Sequence, residues 1–112
     1  MNQKQTTLNN ILDIVISCCA TEIDGESFIT SDRVLSHDRH EVIIMTRCIL
    51  ANQIVRAGFS VATVAIYLHR TLPCARHILK EGVLLRRSSR AYKIADDEAS
   101  RTCDMFLAGG GK

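Results

Sequence analysis

The chain contains no tryptophan and a single proline, and its aromatic side chains are limited to two tyrosines and three phenylalanines. Leucine, isoleucine, valine and alanine therefore have to form the core, and they recur with the period of a helix rather than with the alternation of a strand. At 112 residues, 46% of them hydrophobic, the chain is long enough for one domain with a modest core. We expect an all-α domain of five to six helices over 1–108, followed by a flexible tail, 109–112.

Motifs typical of metal, nucleotide and catalytic sites are missing from the sequence. The five cysteines form no C-x-x-C pair and the four histidines form no H-x-E or H-E-x-x-H motif, so we predict no metal site. No G-x-x-x-x-G-K-[ST] segment occurs, which excludes a P-loop ATPase. No nucleophile–base arrangement can be recognised, so we predict neither an enzyme nor a cofactor.

The sequence lacks a stretch of the roughly 20 apolar residues that a transmembrane helix needs. The apolar run near the start is interrupted by Asn9, Asn10 and Asp13, unlike the apolar centre of a secretory signal. An odd number of cysteines suits a reducing compartment. We therefore expect a cytoplasmic protein that does not interact with membranes.

Charge is distributed unevenly along the chain. Residues 1–32 carry a net charge of −4 and residues 94–112 one of −2, whereas residues 33–93 carry eleven lysines and arginines against three acidic residues, or +8. A phosphate backbone is the natural partner of such a field, because each neutralised phosphate releases a counterion. The alternative is that these basic side chains form a solvated helix face.

The segment 58–80 predicts two helices joined by a tight turn. Gly58 stands where the preceding helix ends, and Ser60 is a good N-cap for the next helix. Thr71 is a second N-cap candidate, and Pro73 lies in a first helical turn, where its missing N–H is tolerated. The second helix directs apolar residues toward a core, namely Leu72, Ala75, Ile78, Leu79 and Val83. Over about 60–87 this pattern is typical of a helix-turn-helix, whose second helix enters the DNA major groove, although an ordinary antiparallel helix pair gives the same local pattern.

The hydrophobic periodicity predicts further helical segments on both sides of this pair. An amphipathic helix is expected over 7–20, and a polar connection with a turn at Asp24-Gly25 follows it. A short helical turn capped by Ser31 is expected over 31–35, and a central helix, apolar on more than one side, over 38–57. A last helix capped by Ser89 is expected over 90–107.

Several segments resemble the C-terminal DNA-binding domain of the bacterial replication initiator DnaA. They are Ile11-Leu12-Asp13-Ile14-Val15, Leu35-Ser36-His37-Asp38-Arg39-His40-Glu41-Val42-Ile43, Thr46-Arg47-Cys48-Ile49 and Arg56-Ala57-Gly58-Phe59-Ser60-Val61. Arg70 stands where an arginine precedes that family's recognition helix, and His77 matches the histidine within it. After Arg70, the family signature Asp-His-Thr-Thr-Val is replaced by Thr71-Leu72-Pro73-Cys74-Ala75. The resemblance covers roughly 8–100 and implies a Trp-repressor-like helix-turn-helix that binds double-stranded DNA in replication or transcription control.

If the second helix of the pair enters the major groove, its exposed arc and the flanking basic residues become the contact residues. The predicted DNA-binding residues are Arg39, Arg47, Arg70, Thr71, Cys74, Arg76, His77 and Lys80. Arg76 is suited to read guanine or to grip a phosphate, and the other arginines are suited to hold flanking phosphates, which carry no sequence information. The alternatives are solvated surface arginines and, for His77, a role in helix packing.

A protein-interaction module is the competing function class. In that interpretation the N-terminal helix forms a homodimer or docks on a protein partner, and the altered motif no longer touches DNA. Ile14 and Ile16 lie off the main apolar stripe of this helix and indicate additional buried surface.

Overall fold

The computed structural model describes residues 3–24 and 28–109, which form helices and connecting loops and contain no strand. The six α-helices are α1 (Gln3–Cys19), α2 (Ser31–Leu35), α3 (Glu41–Arg56), α4 (Val61–Tyr67), α5 (Leu72–Ser88) and α6 (Arg90–Gly109). A π-helical segment, Ala20–Asp24, continues α1. The Cα radius of gyration is 12.8 Å, close to the ~13 Å of a compact 100-residue domain. The predicted all-α architecture is confirmed.

Helix α3 is the centre of the fold, because it contacts each of the other five helices. Its buried apolar side chains lie on several sides of the helix and are Ile43, Met45, Cys48, Ile49, Leu50, Ala51 and Ile54. Helices α1 and α6 pack against α3 and against each other, while α4 and α5 form a second contacting pair. A helix surrounded in this way needs no single apolar stripe, as its sequence predicted.

Local capping bonds fix several helix ends as predicted. The hydroxyl of Ser60 accepts a hydrogen bond from the backbone N–H three residues on at 3.1 Å, and that of Thr71 does the same at 3.3 Å. Ser89 Oγ accepts in the same way at 3.1 Å. Gly58 has φ +100°, the left-handed conformation that glycine adopts readily at the end of a helix. These bonds place the turn between α4 and α5 at 68–71.

Two helix starts and one cap differ from the prediction. Helix α1 begins at residue 3 rather than 7, and α2 has the predicted range but is capped by Thr30 rather than by Ser31. Helix α3 begins at residue 41 rather than 38. A carboxylate oxygen of Asp38 accepts the backbone N–H of His40 at 2.8 Å, and this local bond holds the segment before residue 41 outside the helix.

At the other end of the chain, α6 extends through Gly109, the first residue of the predicted tail. The rest of that tail, 110–112, and Gly25 of the predicted turn lie outside the described residues. None of the helices found over 3–24 and 28–109 is long and apolar enough to cross a membrane.

The predicted inner face of α5 is partly wrong. Ala75 is buried as expected, but Leu72 and Val83 are 36% and 54% exposed. Gly82 occupies the inner position instead, and a Cβ built there would lie 2.8 Å from the Oη atom of Tyr92. Helix α6 therefore approaches α5 at a glycine, and the valine beside it turns outward.

Candidate nucleic-acid interface

A groove of about 680 Å³ lies between the loop 36–40, α3, the turn 68–71 and the first half of α5. Six of the eight predicted DNA-binding residues line it, namely Arg39, Arg47, Arg70, Thr71, Cys74 and His77. Three arginines and three histidines are among the described lining residues, against one carboxylate, that of Glu81. We call this feature the basic groove.

The two remaining predicted residues, Arg76 and Lys80, lie on the outer face of α5. Both are exposed, and a spacing of four residues places them on the same side of the helix. His77 lies between them in sequence and lines the basic groove. The predicted residues therefore fall into two adjoining sets, one in the groove and one on the outer face of α5.

Arg47 lies beneath the groove and is only 7% exposed. Its Nε donates to the carbonyl oxygen of Val34 at 3.0 Å, and its Nη2 donates to those of Ser36 and Asp38 at 3.1 and 2.9 Å. Burial lowers the pKa of its guanidinium. This geometry gives Arg47 a positioning role, since its guanidinium is not presented to solvent as the predicted phosphate contact requires.

Arg70 fastens the turn 68–71 to the same loop. It is half-buried, and its two terminal nitrogens donate to the carbonyl oxygens of Leu68 at 2.8 Å and of Ser36 at 2.7 Å. Arg70 also lines the basic groove. A cation held in this way has lost much of its conformational freedom before any ligand arrives, which lowers the entropic cost of binding an anion.

Two groove residues, His37 and His69, were not among the predicted contacts. His69 is exposed and has φ +57°, a left-handed conformation that strains most residues other than glycine. His37 is exposed on the loop 36–40. Nothing in the residues next to either histidine indicates a place in the same groove. Their proximity depends on the packing of α3 between the two segments.

Apart from Lys4, Arg47 and Arg70, the lysines and arginines of the described residues fall into two groups. One group forms ion pairs with carboxylates and comprises Arg33, Arg56, Arg86, Lys93 and Arg101. The other makes no hydrogen bond or ion pair with any residue in the described parts of the chain and comprises Arg39, Arg76, Lys80, Arg87 and Arg90. The second group lies on the loop 36–40, on α5 and at the first residue of α6. Their positive potential is not neutralised by the protein itself, so this surface attracts anions.

The remaining predictions concern α1 and metal sites. Ile14 and Ile16 are half-buried and pack against the core of this same chain, so the additional apolar surface of α1 is used internally. Within 3–24 and 28–109, no three histidine, cysteine, aspartate or glutamate side chains are placed to hold a metal ion.

The chain was also compared with known protein families, curated proteins and solved structures. No protein-family model, no curated protein and no solved structure matches the chain.

Proposed function

We propose that the protein binds double-stranded DNA through α5, the turn 68–71 and the loop 36–40. In this proposal α4 and α5 act as a helix-turn-helix, with α4 bracing α5 and the first half of α5 lying in the major groove. The division of the cations carries the proposal. Arg39 on the loop 36–40 and Arg76 and Lys80 on the outer face of α5 are unpaired within the described residues. In contrast, five exposed or half-buried cations elsewhere are paired with carboxylates, namely Arg33, Arg56, Arg86, Lys93 and Arg101.

The outer face of α5 supplies the side chains that would enter the major groove. Arg76 and Lys80 are exposed on the same side of the helix and extend into solvent. An arginine in this position can donate two hydrogen bonds to the O6 and N7 atoms of guanine, and a lysine can contact guanine or phosphate. Base selectivity is therefore assigned mainly to Arg76.

The rim of the basic groove supplies the phosphate contacts. Arg39 is exposed on the loop, and Arg70 is fixed at the turn. The oxygen of Thr71 accepts the capping bond from the backbone of α5, which leaves its hydroxyl proton free to be donated to a phosphate oxygen. These contacts add affinity without sequence information.

The positioning residues explain how two separate phosphate-binding segments keep one geometry. Arg47 binds the carbonyl oxygen of Val34 in α2 and two carbonyl oxygens of the loop, each at 3.1 Å or less, and Arg70 binds one of those two from the turn. The loop and the turn are thereby joined before DNA arrives. Pre-organisation of this kind improves affinity by reducing the cost of ordering the binding surface.

The resemblance to the DnaA C-terminal domain supports a role in replication or transcription control. The residues that follow Arg70 differ from that family's signature and leave only Thr71 with a comparable hydroxyl. We therefore propose a DNA target different from that of the initiator.

Fluorescence anisotropy with a labelled mixed-sequence duplex tests the proposal. We expect dissociation constants of about 10⁻⁴ to 10⁻⁶ M that weaken steeply between about 50 and about 200 mM salt. Arg76→Ala and Lys80→Ala should each weaken binding, and a lost phosphate contact should reduce the salt slope by about one. Arg101→Ala is the matched control, because Arg101 is an exposed cation paired with Glu98 on α6.

Two results would contradict the proposal. The first is absence of binding at low salt with folded protein. The second is binding that Arg101→Ala weakens as much as Arg76→Ala does, because this would show that net charge rather than the outer face of α5 determines affinity.

A further inference from the structure

Three of the four histidines of the chain line the basic groove. His37 comes from the loop 36–40, His69 from the turn 68–71 and His77 from α5, and all three are exposed. His37 is 32 residues from His69 in sequence, so its position beside the other two is a product of the fold. Histidine is the side chain whose charge changes near neutral pH.

The surroundings of these histidines are dominated by cations. The groups that face them are Arg39, Arg47, Arg70, Cys74 and Glu81 in the basic groove, and Lys4 of α1, which lines an adjacent groove on the other side of His69. Asp38 follows His37 in the chain, but its carboxylate is paired with Arg33 at 3.2 Å. The carboxylate of Glu81 lies 3.7 Å from Nε2 of His77. Glu81 is the one carboxylate among the described lining residues and faces His77, so it can balance only part of the positive charge, and an anionic ligand would have to balance the rest.

We propose that His37, His69 and His77 hold DNA phosphates as protonated imidazoles, so that DNA binding takes up protons and tightens as the pH falls. The inference rests on the proposed DNA-binding function and adds to it phosphate contacts from His37 and His69, a phosphate-binding role for His77 and a dependence on pH. A nearby phosphate favours the protonated imidazole. By linkage, a protonated imidazole favours the phosphate to the same extent.

The backbone of His69 is fixed by the end of α4. Its φ of +57° belongs to a Schellman cap, in which the N–H groups of His69 and Arg70 donate to the carbonyl oxygens of Ile66 at 3.2 Å and of Ala65 at 2.8 Å. The side chain of Arg70 also binds the loop at Ser36. The imidazole of His69 is therefore held at the groove by the helix end that precedes α5.

The fourth histidine provides an internal control. His40 does not line the groove, and its Nδ1 accepts the backbone N–H of Val42 at 3.4 Å as the N-cap of α3. Its ring also packs on Phe28, with 4.5 Å between the ring centres. Asparagine is a favourable N-cap, so His40→Asn removes an imidazole while the cap is kept.

The test is duplex binding at constant ionic strength between about pH 8 and about pH 6. We expect the wild-type dissociation constant to fall by about tenfold over this interval as imidazolium–phosphate contacts form. The triple variant His37→Asn/His69→Gly/His77→Gln should lose most of this tightening, so that its dissociation constant changes by less than about twofold over the same interval. His40→Asn should follow wild type, and circular dichroism at each pH should show every variant folded.

A dissociation constant that does not change with pH, or an equal pH dependence in the triple variant, would overturn this inference and leave the proposed function standing. Absence of duplex binding at every pH would overturn both. NMR titration of the imidazole C–H resonances gives a second readout. Added duplex should move the titration of the three groove histidines to higher pH and leave that of His40 unchanged, and the opposite pattern would contradict the inference.

Discussion

The guanidinium groups of Arg47 and Arg70 donate to the same acceptor, the carbonyl oxygen of Ser36, at 3.1 and 2.7 Å. Arg47 belongs to α3 and Arg70 to the turn between α4 and α5, so one oxygen joins three parts of the fold. The two like charges are tolerated there because each guanidinium has further carbonyl oxygens as partners. This junction sets the distance between the loop 36–40 and α5, and with it the width of the basic groove.

Arg47→Met is expected to destabilise the protein. The substitution keeps the packing volume of the side chain but removes the donor from several loop carbonyl oxygens, and leaving buried acceptors unpaired costs about 3 kcal/mol. Urea unfolding followed by circular dichroism measures the change. Arg76→Met, at an exposed residue with no partner among the described residues, should change stability by less than about 0.5 kcal/mol. Equal effects of the two substitutions would contradict the positioning role of Arg47.

Gly82→Ala is expected to destabilise the protein, although alanine is the better helix former by about 1 kcal/mol. A Cβ at this position would lie 2.8 Å from the Tyr92 Oη, and crowding of this kind in a packed core costs about 1 to 3 kcal/mol. In a Tyr92→Phe background, where the hydroxyl is absent, the same substitution should become neutral or stabilising. A double-mutant cycle by thermal or urea unfolding measures the coupling free energy between positions 82 and 92. If Gly82→Ala stabilises the protein in the wild-type background, the contact with the Tyr92 hydroxyl does not outweigh the helix preference of alanine.

Arg86→Ala is expected to reduce stability by about 2 kcal/mol, because it removes the charged partner of a buried carboxylate. Asp96 is 4% exposed, and it accepts hydrogen bonds from Arg86 at 2.7 Å, from Asn52 at 3.2 Å and from Gln53 at 3.3 Å. These bonds join α3, α5 and α6. Arg87→Ala is the control, since Arg87 is exposed and has no partner in the described ranges. If the two alanine variants are equally stable, the ion pair of Arg86 with Asp96 does not contribute to the stability of the protein.

Stability is expected to fall as the pH rises above about 9. Burial raises the pKa of the Cys19 and Cys48 thiols from 9.0 to about 12. Between these values the unfolded chain has lost thiol protons that the folded chain retains, so raising the pH favours unfolding. Urea unfolding under reducing conditions, repeated from neutral to alkaline pH, shows whether the free energy of unfolding falls as the pH rises. Cys19→Ala/Cys48→Ala should show a shallower decline, and an unchanged slope would contradict the assignment to these thiols.

The parts of the fold that were predictable from the sequence depend on neighbouring residues. The caps at Ser60 and Thr71 and the glycine at position 58 act through bonds within a few residues, and the structure has them as predicted. The errors depend on distant residues. The burial of Arg47 follows from carbonyl oxygens 9 to 14 positions earlier in the chain, and the outward turn of Val83 follows from the approach of Tyr92 to the neighbouring glycine.

In the candidate site, too, the predictable features are local and the others depend on contacts between distant residues. The basic character of residues 33–93 is visible in the sequence, but pairing of cations with carboxylates is a property of the fold. Nothing local distinguishes Arg86, which is paired with Asp96 and Asp97, from Arg87, which is unpaired within the described residues. The convergence of His37 and His69 likewise requires two segments on either side of α3 to meet.

NMR mapping locates the proposed DNA-binding surface residue by residue. Uniformly ¹⁵N-labelled protein is titrated with a short unlabelled duplex at low salt, and the shift of each backbone amide is followed. We expect the largest shifts in the loop 36–40, the turn 68–71 and the first half of α5. Largest shifts on the outer surfaces of α1 and α6, with α5 unchanged, would contradict the proposed surface.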